Sequence, residues 1–318
     1  MTEKIAILMS TYNGESYLAD QIDSIINQSY LNWHLYIRDD GSNDKTCEII
    51  RHYSSKCSKI SFVNDGKVTN VGVIKSFMNL LRNIDADFYM FSDQDDVWKR
   101  DKVFNTLKFI KQFDYLTKPV CVYTNLQVVD NKLQGNEPLL DYNWQDFLQL
   151  LFTNNAYGCT MMLNQRLKEL VKFDSINYSN VFMHDWWLML IAAGFGEVGY
   201  LDEETILYRQ HGNNQVGASS KTLLSYLNRI INPERDRKAL RRSVGLATEF
   251  YHEYGNTKKL GSRIEEYIKN YGMLNTNSSF FNNLRLVFKY PPLSIHFFKQ
   301  LYYSYIIVVF HSDYLKKG

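Results

Sequence analysis

Cysteine is scarce in this chain and never paired at short spacing: Cys47, Cys57, Cys121 and Cys159 are the only four in 318 residues. With no Cys-x-x-Cys, a zinc knuckle and a disulfide framework are both disfavoured, and a reducing compartment is expected. No uninterrupted apolar run approaches the ~18 residues that a spanning helix needs. The N-terminus enters strand-like sequence without a basic, apolar leader, so a cytosolic protein is expected. The loops after the first two strand-like runs lack a Gly-x-Gly-x-x-Gly fingerprint, and no Gly-x-x-x-x-Gly-Lys-Ser/Thr occurs. A dinucleotide fold and a P-loop ATPase are therefore disfavoured.

What is present is enough for a large core. Hydrophobic residues make up 45% and charged residues 22%, and the length exceeds the usual single domain, so one large domain plus an appendage is expected. The net charge of +2 hides an asymmetry. Residues 1–218 hold 20 Lys+Arg against 27 Asp+Glu, whereas residues 219–318 hold 16 against 7. The boundary is placed there: a catalytic domain over 1–218 and a basic, aromatic-rich helical region over 219–318.

Along the first part, apolar runs alternate with helical periodicity. Lys4–Ser10 reads as a strand, Tyr17–Ile26 as an amphipathic helix, Trp33–Ile37 as a second strand and Ile60–Val63 as a third. A helix follows Asn70-Val71-Gly72, and Asp87–Phe91 is the fourth strand. The order β-α-β-α-β-α-β implies an α/β fold with a mostly parallel central sheet and helices on both faces. Strand-end loops then share one rim, where ligands of open α/β sheets bind. That rim collects Ser10 to Asn13, Asp39-Asp40 and Ser92-Asp93-Gln94-Asp95-Asp96-Val97-Trp98. Carboxylate oxygens suit Mg²⁺ or Mn²⁺ and leave positions for phosphate. A strand-end Asp can accept the imide N–H of uracil or thymine, with Tyr12 against the base face, although Asp40 in Asp-Gly-Ser equally suits a turn or helix cap.

Ser10-Thr11-Tyr12-Asn13-Gly14, Asp39-Asp40-Gly41-Ser42-Asn43-Asp44-Lys45-Thr46, Asn70-Val71-Gly72 and Asp93-Gln94-Asp95-Asp96, in this order and spacing, resemble the family 2 inverting glycosyltransferases of GT-A fold. The resemblance covers about residues 3 to 216. It implies a nucleotide-sugar donor, a divalent metal (Mn²⁺ or Mg²⁺) and inversion at the anomeric carbon. By motif position, Thr11, Tyr12, Asn13 and Asp40 fall on the donor side and Asp95 on the metal. Asp93 and Asp96 would hold the donor ribose or sugar, or a water behind them. Asp39 and Lys75 are weaker candidates.

Inverting transfer also needs a base for the acceptor hydroxyl. Phe182-Met183-His184-Asp185-Trp186-Trp187-Leu188 puts a carboxylate at the start of an apolar helix and resembles the family's acidic motif. Asp185 is the candidate base, with a helix cap as its structural alternative. His184 could orient or replace it, or be a packed core residue, and Trp186 stands beside them. By analogy with the family, Gly158 and Thr160 sit in a loop on the acceptor side. Tyr208-Arg209-Gln210-His211-Gly212-Asn213-Asn214 is similar to a segment of members that build bacterial surface polysaccharides. It implies Arg209 on phosphate and His211 near the metal, with Gly212 to Gly217 as a lid.

The last hundred residues are basic and crowded with Phe and Tyr, notably over 280–314. A peripheral, membrane-facing helical region is expected. Packing on the catalytic domain or a homodimer is the other use of these residues, and nucleic acid is disfavoured by the acidic catalytic face. Among relatives, the Ser-Asp-Gln-Asp-Asp-Val-Trp string and the Tyr-Arg-Gln-His-Gly ending most resemble rhamnosyltransferases. The resemblance implies L-rhamnose from dTDP-rhamnose, or a UDP-hexose or UDP-N-acetylhexosamine. The acceptor it implies is a polyprenyl-diphosphate-linked saccharide at the inner membrane leaflet, in cell-wall or capsular polysaccharide synthesis. A phosphoryl-transfer enzyme and a non-catalytic nucleotide-sugar sensor are the competing classes.

Overall fold

The structure, a computed structural model, describes residues 2–135, 137–138, 143–210, 234–255, 257, 260–274, 278–294 and 297–309. His211, the Gly212 to Gly217 segment, the apolar positions Leu223, Leu227, Ile230 and Ile231, and the end of the aromatic run from Phe310 lie outside these residues. The chain divides into two compact units. The first comprises 1–143, 156–173 and 196–217, and the second 144–155, 174–195 and 218–318. Two segments that precede residue 218 thus group with the C-terminal helices.

The first unit carries the sheet. Its strands are β1 (Ile5–Thr11), β2 (Trp33–Asp39), β3 (Ile60–Phe62), β4 (Phe88–Ser92), β5 (Val97–Trp98), β6 (Val120–Val129), β7 (Glu137–Pro138), β8 (Met161–Asn164) and β9 (Glu197–Arg209). The order is β3-β2-β1-β4-β8-β6-β9-β5, with β7 on β6. β1, β2, β3 and β4 pair in parallel, and the near-continuous apolar runs of β1 and β4 are those of strands covered on both faces. β6 and β9 are also parallel, while β8 enters antiparallel between β4 and β6. Parallel neighbours need long crossovers, and α1 (Leu18–Ile26), α2 (Thr46–Lys56) and α3 (Val73–Asn83) supply them. Leu18, Ile22 and Ile25 of α1 join the core beside Ile5, Ile7, Leu35 and Ile37.

The topology fixes where a ligand can enter. From β1 the chain steps to β2 on one side, whereas β4 lies on the other. Such a reversal of strand order opens a crevice outside the carboxyl ends of the strands. Three loops meet there: Tyr12 onward, Asp40 onward and Asp93 onward. After Asp96 the chain pairs at once with β9 through β5, Val97 against Leu207 and Trp98 against Ile206. It then enters α4 (Lys102–Ile110).

One later string, Gly194-Phe195-Gly196-Glu197-Val198-Gly199, does match Gly-x-Gly-x-x-Gly, but it leads into β9 rather than out of a strand into a helix. A side chain at Gly196 would put its Cβ 1.9 Å from the Pro119 carbonyl oxygen. Close backbone approach explains that glycine, and a dinucleotide does not.

The second unit is helical. It contains α5 (Phe147–Phe152) and α7 (His184–Phe195), then α8 (Glu234–Tyr254), α9 (Ser262–Gly272), α10 (Phe280–Lys289) and α11 (Phe297–Val309), while α6 (Gln165–Leu170) belongs to the first unit. From His184 to Ala192 every residue of α7 is buried, which marks a helix apolar all round at the centre of its unit. Phe147, Trp187, Phe195, Phe250 and Tyr254 pack on one another as edge-on, tilted and stacked rings.

Candidate active site

The loops after β1 and β2 are stitched into one platform. The Thr11 hydroxyl donates to Asp39 Oδ1 at 2.8 Å, and Asp39 also accepts from the Gly41 and Ser42 amides and the Ser42 hydroxyl. Asn13, held at a φ of 48°, donates its amide to Ser42 Oγ and accepts from the Asn43 amide. The Gly14 amide reaches Thr46 Oγ1. Asp39 is fully buried, so its place is to hold the turn.

Asp40 is held by several donors too. Its Oδ1 accepts from Arg38 Nη1 at 2.7 Å and the Val71 amide at 2.8 Å, and its Oδ2 from the Gly72 amide at 2.9 Å. The ion pair is buried on both sides. Arg38 goes on to Ser76 Oγ and the Thr69 carbonyl, which ties three of the four ordered motifs together. Oδ2 accepts a single bond, so one acceptor direction remains. Tyr12 beside it is 50% exposed. Lys75, on the first turn of α3, is exposed.

Gln94 joins this platform to the acidic loop. Its side-chain oxygen accepts the Tyr12 amide at 2.8 Å and its nitrogen donates to the Tyr12 carbonyl at 2.9 Å. A Cβ at Gly14 would lie 2.4 Å from Gln94 Oε1. Glycine there leaves room for the amide of Gln94, which a side chain would displace. In sequence Gln94 is only a spacer between two aspartates.

Asp93 and Asp95 are half-buried and Asp96 is fully buried. Asp96 Oδ1 accepts the Arg209 amide at 3.2 Å. Its Oδ2 takes no hydrogen bond, and the Cys159 thiol lies against the carboxyl group. Burial, then the charges of Asp93 and Asp95, hold its carboxyl well above the usual range. Asp93, Asp96 and Cys159 each bring one ligand atom to within 4.8 Å of the others. Burial and the two carboxylates push the thiol up as well. Cys159 therefore stays protonated, and hard carboxylate oxygens are what the cluster offers to a Mn²⁺ or Mg²⁺ ion. An orphaned carboxylate oxygen beneath two half-buried carboxylates fits such a cation. Behind them Lys102 is buried, donates to Thr205 Oγ1 at 3.2 Å and lies over the Trp98 ring. Burial lowers its pKa to about 8.

Arg209 is buried, with no open fork. Its Nε donates to the Asp95 carbonyl at 3.0 Å, Nη1 to the Asn131 carbonyl at 2.7 Å and Nη2 to Asp20 Oδ2 at 3.0 Å, with the guanidinium over the Tyr17 ring. It braces the backbone of the acidic loop. Gly158 and Thr160 are buried in a short 3₁₀ turn, where the Thr160 hydroxyl donates to the Tyr157 carbonyl.

In the second unit, Asp185 occupies the first turn of α7 and is buried, accepting from Asn154 Nδ2 at 3.2 Å and from the Trp186 amide. Trp186 Nε1 donates to the Leu150 carbonyl, which fixes α7 against α5. Burial lowers the pKa of His184 to about 3. The ring is neutral near pH 7, in keeping with a packed core residue.

Residues 6–171 match the sequence model of glycosyl transferase family 2. The chain is 33% identical over 221 residues to a dTDP-rhamnosyl transferase, RfbG, of Shigella flexneri, which covers 66% of this chain and 74% of the relative. Among solved structures it is similar to S. aureus TarS 1-349 in complex with UDP-GlcNAc, at a TM-score of 0.55 and 16% identity over 98% of this chain and 83% of that one. It is also similar to the mannosyltransferase PcManGT of Pyrobaculum calidifontis in complex with GDP-Man and Mn²⁺, at 0.53 and 13% identity over 100% and 89%. The GT-A fold expected from the motifs is the fold observed.

Proposed function

The chain belongs to glycosyl transferase family 2, and we propose that it is a metal-assisted, inverting transferase of a sugar from a nucleoside-diphosphate donor. The observation that carries this reading is the acidic loop. Asp93, Asp95 and Asp96 follow β4 at the reversal of strand order, and the deepest of them keeps an unbonded oxygen. Asp93 and Asp95 would hold the cation, with Asp96 beneath; when bound, it neutralises charge on the departing diphosphate. The chain's own residues do the rest. Tyr12 offers its ring face to the base, and the open direction of Asp40 Oδ2 accepts the imide N–H of thymine or uracil. Arg209 and Gln94 hold the loop so that its carboxylates do not reorganise during transfer.

In a single displacement the acceptor hydroxyl attacks the anomeric carbon as the nucleoside diphosphate leaves from the opposite face. Asp185 takes the hydroxyl proton. The preferred donor is dTDP-rhamnose, supported by the 33% identical relative named for it; a UDP-hexose or UDP-N-acetylhexosamine would satisfy the same base contacts. The acceptor proposed with it is a polyprenyl-diphosphate-linked saccharide at the inner leaflet, as the resemblance to members that build bacterial surface polysaccharides implies. His211 remains a candidate second ligand.

Calorimetry of dTDP- and UDP-sugars with Mn²⁺ or Mg²⁺, and again with EDTA, tests the reading. One donor binds, and only with the cation. Asp185→Asn then lowers transfer by about 10²- to 10⁴-fold and leaves that binding unchanged. If no donor binds in either condition, the site assignment is wrong.

A further inference from the structure

The C-terminal helices α10 and α11 form a hairpin with one apolar side turned in and another turned out. Inward, Val287 of α10 and Tyr303, Ile306 and Ile307 of α11 are buried, and Asn283 Nδ2 donates to the Ile307 carbonyl. Pro291 and Pro292 stop α10, since proline cannot continue the hydrogen-bond ladder. The turn between the helices is fastened to α9: the Tyr271 hydroxyl donates to the Tyr290 carbonyl and the Tyr290 hydroxyl to Glu266. This hairpin is held in place by its buried side, so its outer side is a surface in its own right.

That outer side is unusually apolar. Phe281 is 78% exposed, Phe288 88% and Phe298 84%, and Leu284, Leu301, Tyr305 and Val309 are exposed with them. In α10 the spacing 281, 284, 288 and in α11 the spacing 298, 301, 305, 309 each place these side chains on one helical stripe. Exposed apolar stripes of this kind mark an interaction site. Charge identifies the partner. From Tyr267 to Ser312 there is no Asp or Glu, whereas Lys269, Arg285, Lys289 and Lys299 contribute four positive charges. Arg285 and Lys289 are exposed at the edge of the α10 stripe. A second copy of the same face would bring like charges together. Anionic lipid would not, and its acyl boundary accepts Phe, Leu and Tyr. No helix among the described residues is long and apolar enough to cross a membrane, and α10 and α11, at roughly 15 and 20 Å by the helical rise, fall short of the ~30 Å core. They can only lie on it.

We propose that the α10–α11 hairpin seats this chain on an anionic bilayer surface, aromatic stripes inserted at the headgroup level and Arg285 and Lys289 on lipid phosphates. The lipid-linked acceptor gives the contact its purpose, and the proposal rests on that reading for nothing else.

The test is co-sedimentation of the full-length protein with phosphatidylcholine vesicles, with and without phosphatidylglycerol, alongside donor calorimetry on the same samples. The protein sediments with the anionic vesicles, less so as salt rises. Arg285→Gln with Lys289→Gln weakens partitioning about 25-fold, two factors of about five at ~1 kcal/mol per cation. Phe281→Ala, Phe288→Ala and Phe298→Ala together weaken it at least about ten-fold. These side chains are exposed and lie outside the donor site, so donor binding is unchanged. Equal sedimentation of wild type and variants overturns the proposal. So does absence of vesicle binding with a dimer that the Phe variants convert to monomer, which would assign the face to a second copy. Vesicle binding that persists where no donor binds leaves the proposal standing and removes the catalytic reading instead.

Discussion

The two sides of the rim treat their carboxylates in opposite ways. On the β1–β2 side, Asp39 and Asp40 are closed by backbone amides, hydroxyls and Arg38. On the β4 side, Asp96 has one amide at 3.2 Å and an Oδ2 without a hydrogen bond, with Asp93 and the Cys159 thiol clustered on it and the charge of Asp95 nearby. The first is a network of amide, hydroxyl and guanidinium donors that leaves one acceptor direction of Asp40 Oδ2 open. The second gathers three carboxylates in one loop, where burial and then the charges of Asp93 and Asp95 hold the Asp96 carboxyl up. A site that must hold a rigid base pocket and also receive a cation needs both, and the difference is open to test because the two sides should respond with opposite signs.

The largest effect is expected from Arg38→Met. It leaves Asp40 buried without its ion pair, and breaking a buried pair in this way costs about 3–5 kcal/mol. Chemical denaturation should show that loss in the midpoint with little change of slope. A loss below about 1 kcal/mol would mean that the Val71 and Gly72 amides suffice and the network is redundant.

Next comes the cation behind the acidic side. Folded, Lys102 releases its proton near pH 8; unfolded, near 10.5. Between those values the unfolded chain binds more protons, so stability should rise with pH through that window and be flat for this group below it. The rise is on the order of 3 kcal/mol at 1.36 kcal/mol per unit. Lys102→Met should remove it, which a comparison of the two unfolding curves at pH 7 and pH 10 would detect. An unchanged pH dependence would mean that Lys102 is not the group responsible.

Much of this contrast was readable from residues and part was not. The parallel strands announced themselves because Ile5–Met9 and Phe88–Phe91 are continuous apolar runs, and α1 and α3 because their apolar residues recur at helical spacing. The place of the acidic loop, directly after the buried strand β4, was legible on similar grounds, while its reading as a cation site came from the four ordered motifs taken together. β5 was not, since two residues carry no pattern and their strand character comes from β9, more than a hundred positions away. Arg209 illustrates the limit on the site side. An Arg next to a loop near a diphosphate reads as a phosphate ligand, yet its partners are carbonyls of Asp95 and Asn131 and the carboxylate of Asp20, none of which is local to it in sequence. For His184 the sequence left two uses open, and its burial among the residues of the second unit supports the packed core residue.

Asp95→Asn sharpens the comparison through its sign. Transfer and cation-dependent donor binding should fall by at least about 10²-fold, the scale of losses at metal sites. Without cation, the variant should be as stable as wild type or slightly more so, because a charge that pushes on Asp96 has gone. That combination of lower activity with retained stability is the mark of a site strained for function. Loss of stability together with activity would instead make the acidic loop a structural network like its neighbour.

Gln94→Ala tests the seam between the two sides and should have the smallest effect. Its amide exchanges two hydrogen bonds with the Tyr12 backbone, each contributing about 0.5–1.5 kcal/mol net. Tyr12 is half-exposed, so water can replace the lost partner and the stability change should stay near the lower end, about 1 kcal/mol. The effect on donor affinity should be larger than the effect on stability, because the ring of Tyr12 is then no longer tied to the loop that holds the carboxylates. Gly14→Ala is the matching change from the other side: its Cβ would displace the Gln94 amide and should reproduce the affinity loss. Adding Gln94→Ala to it should cost little more, since two changes that break the same contact are not additive. If the double variant instead showed the sum of the two losses, Gly14 and Gln94 would act independently, and the two halves of the rim would be coupled by some other path.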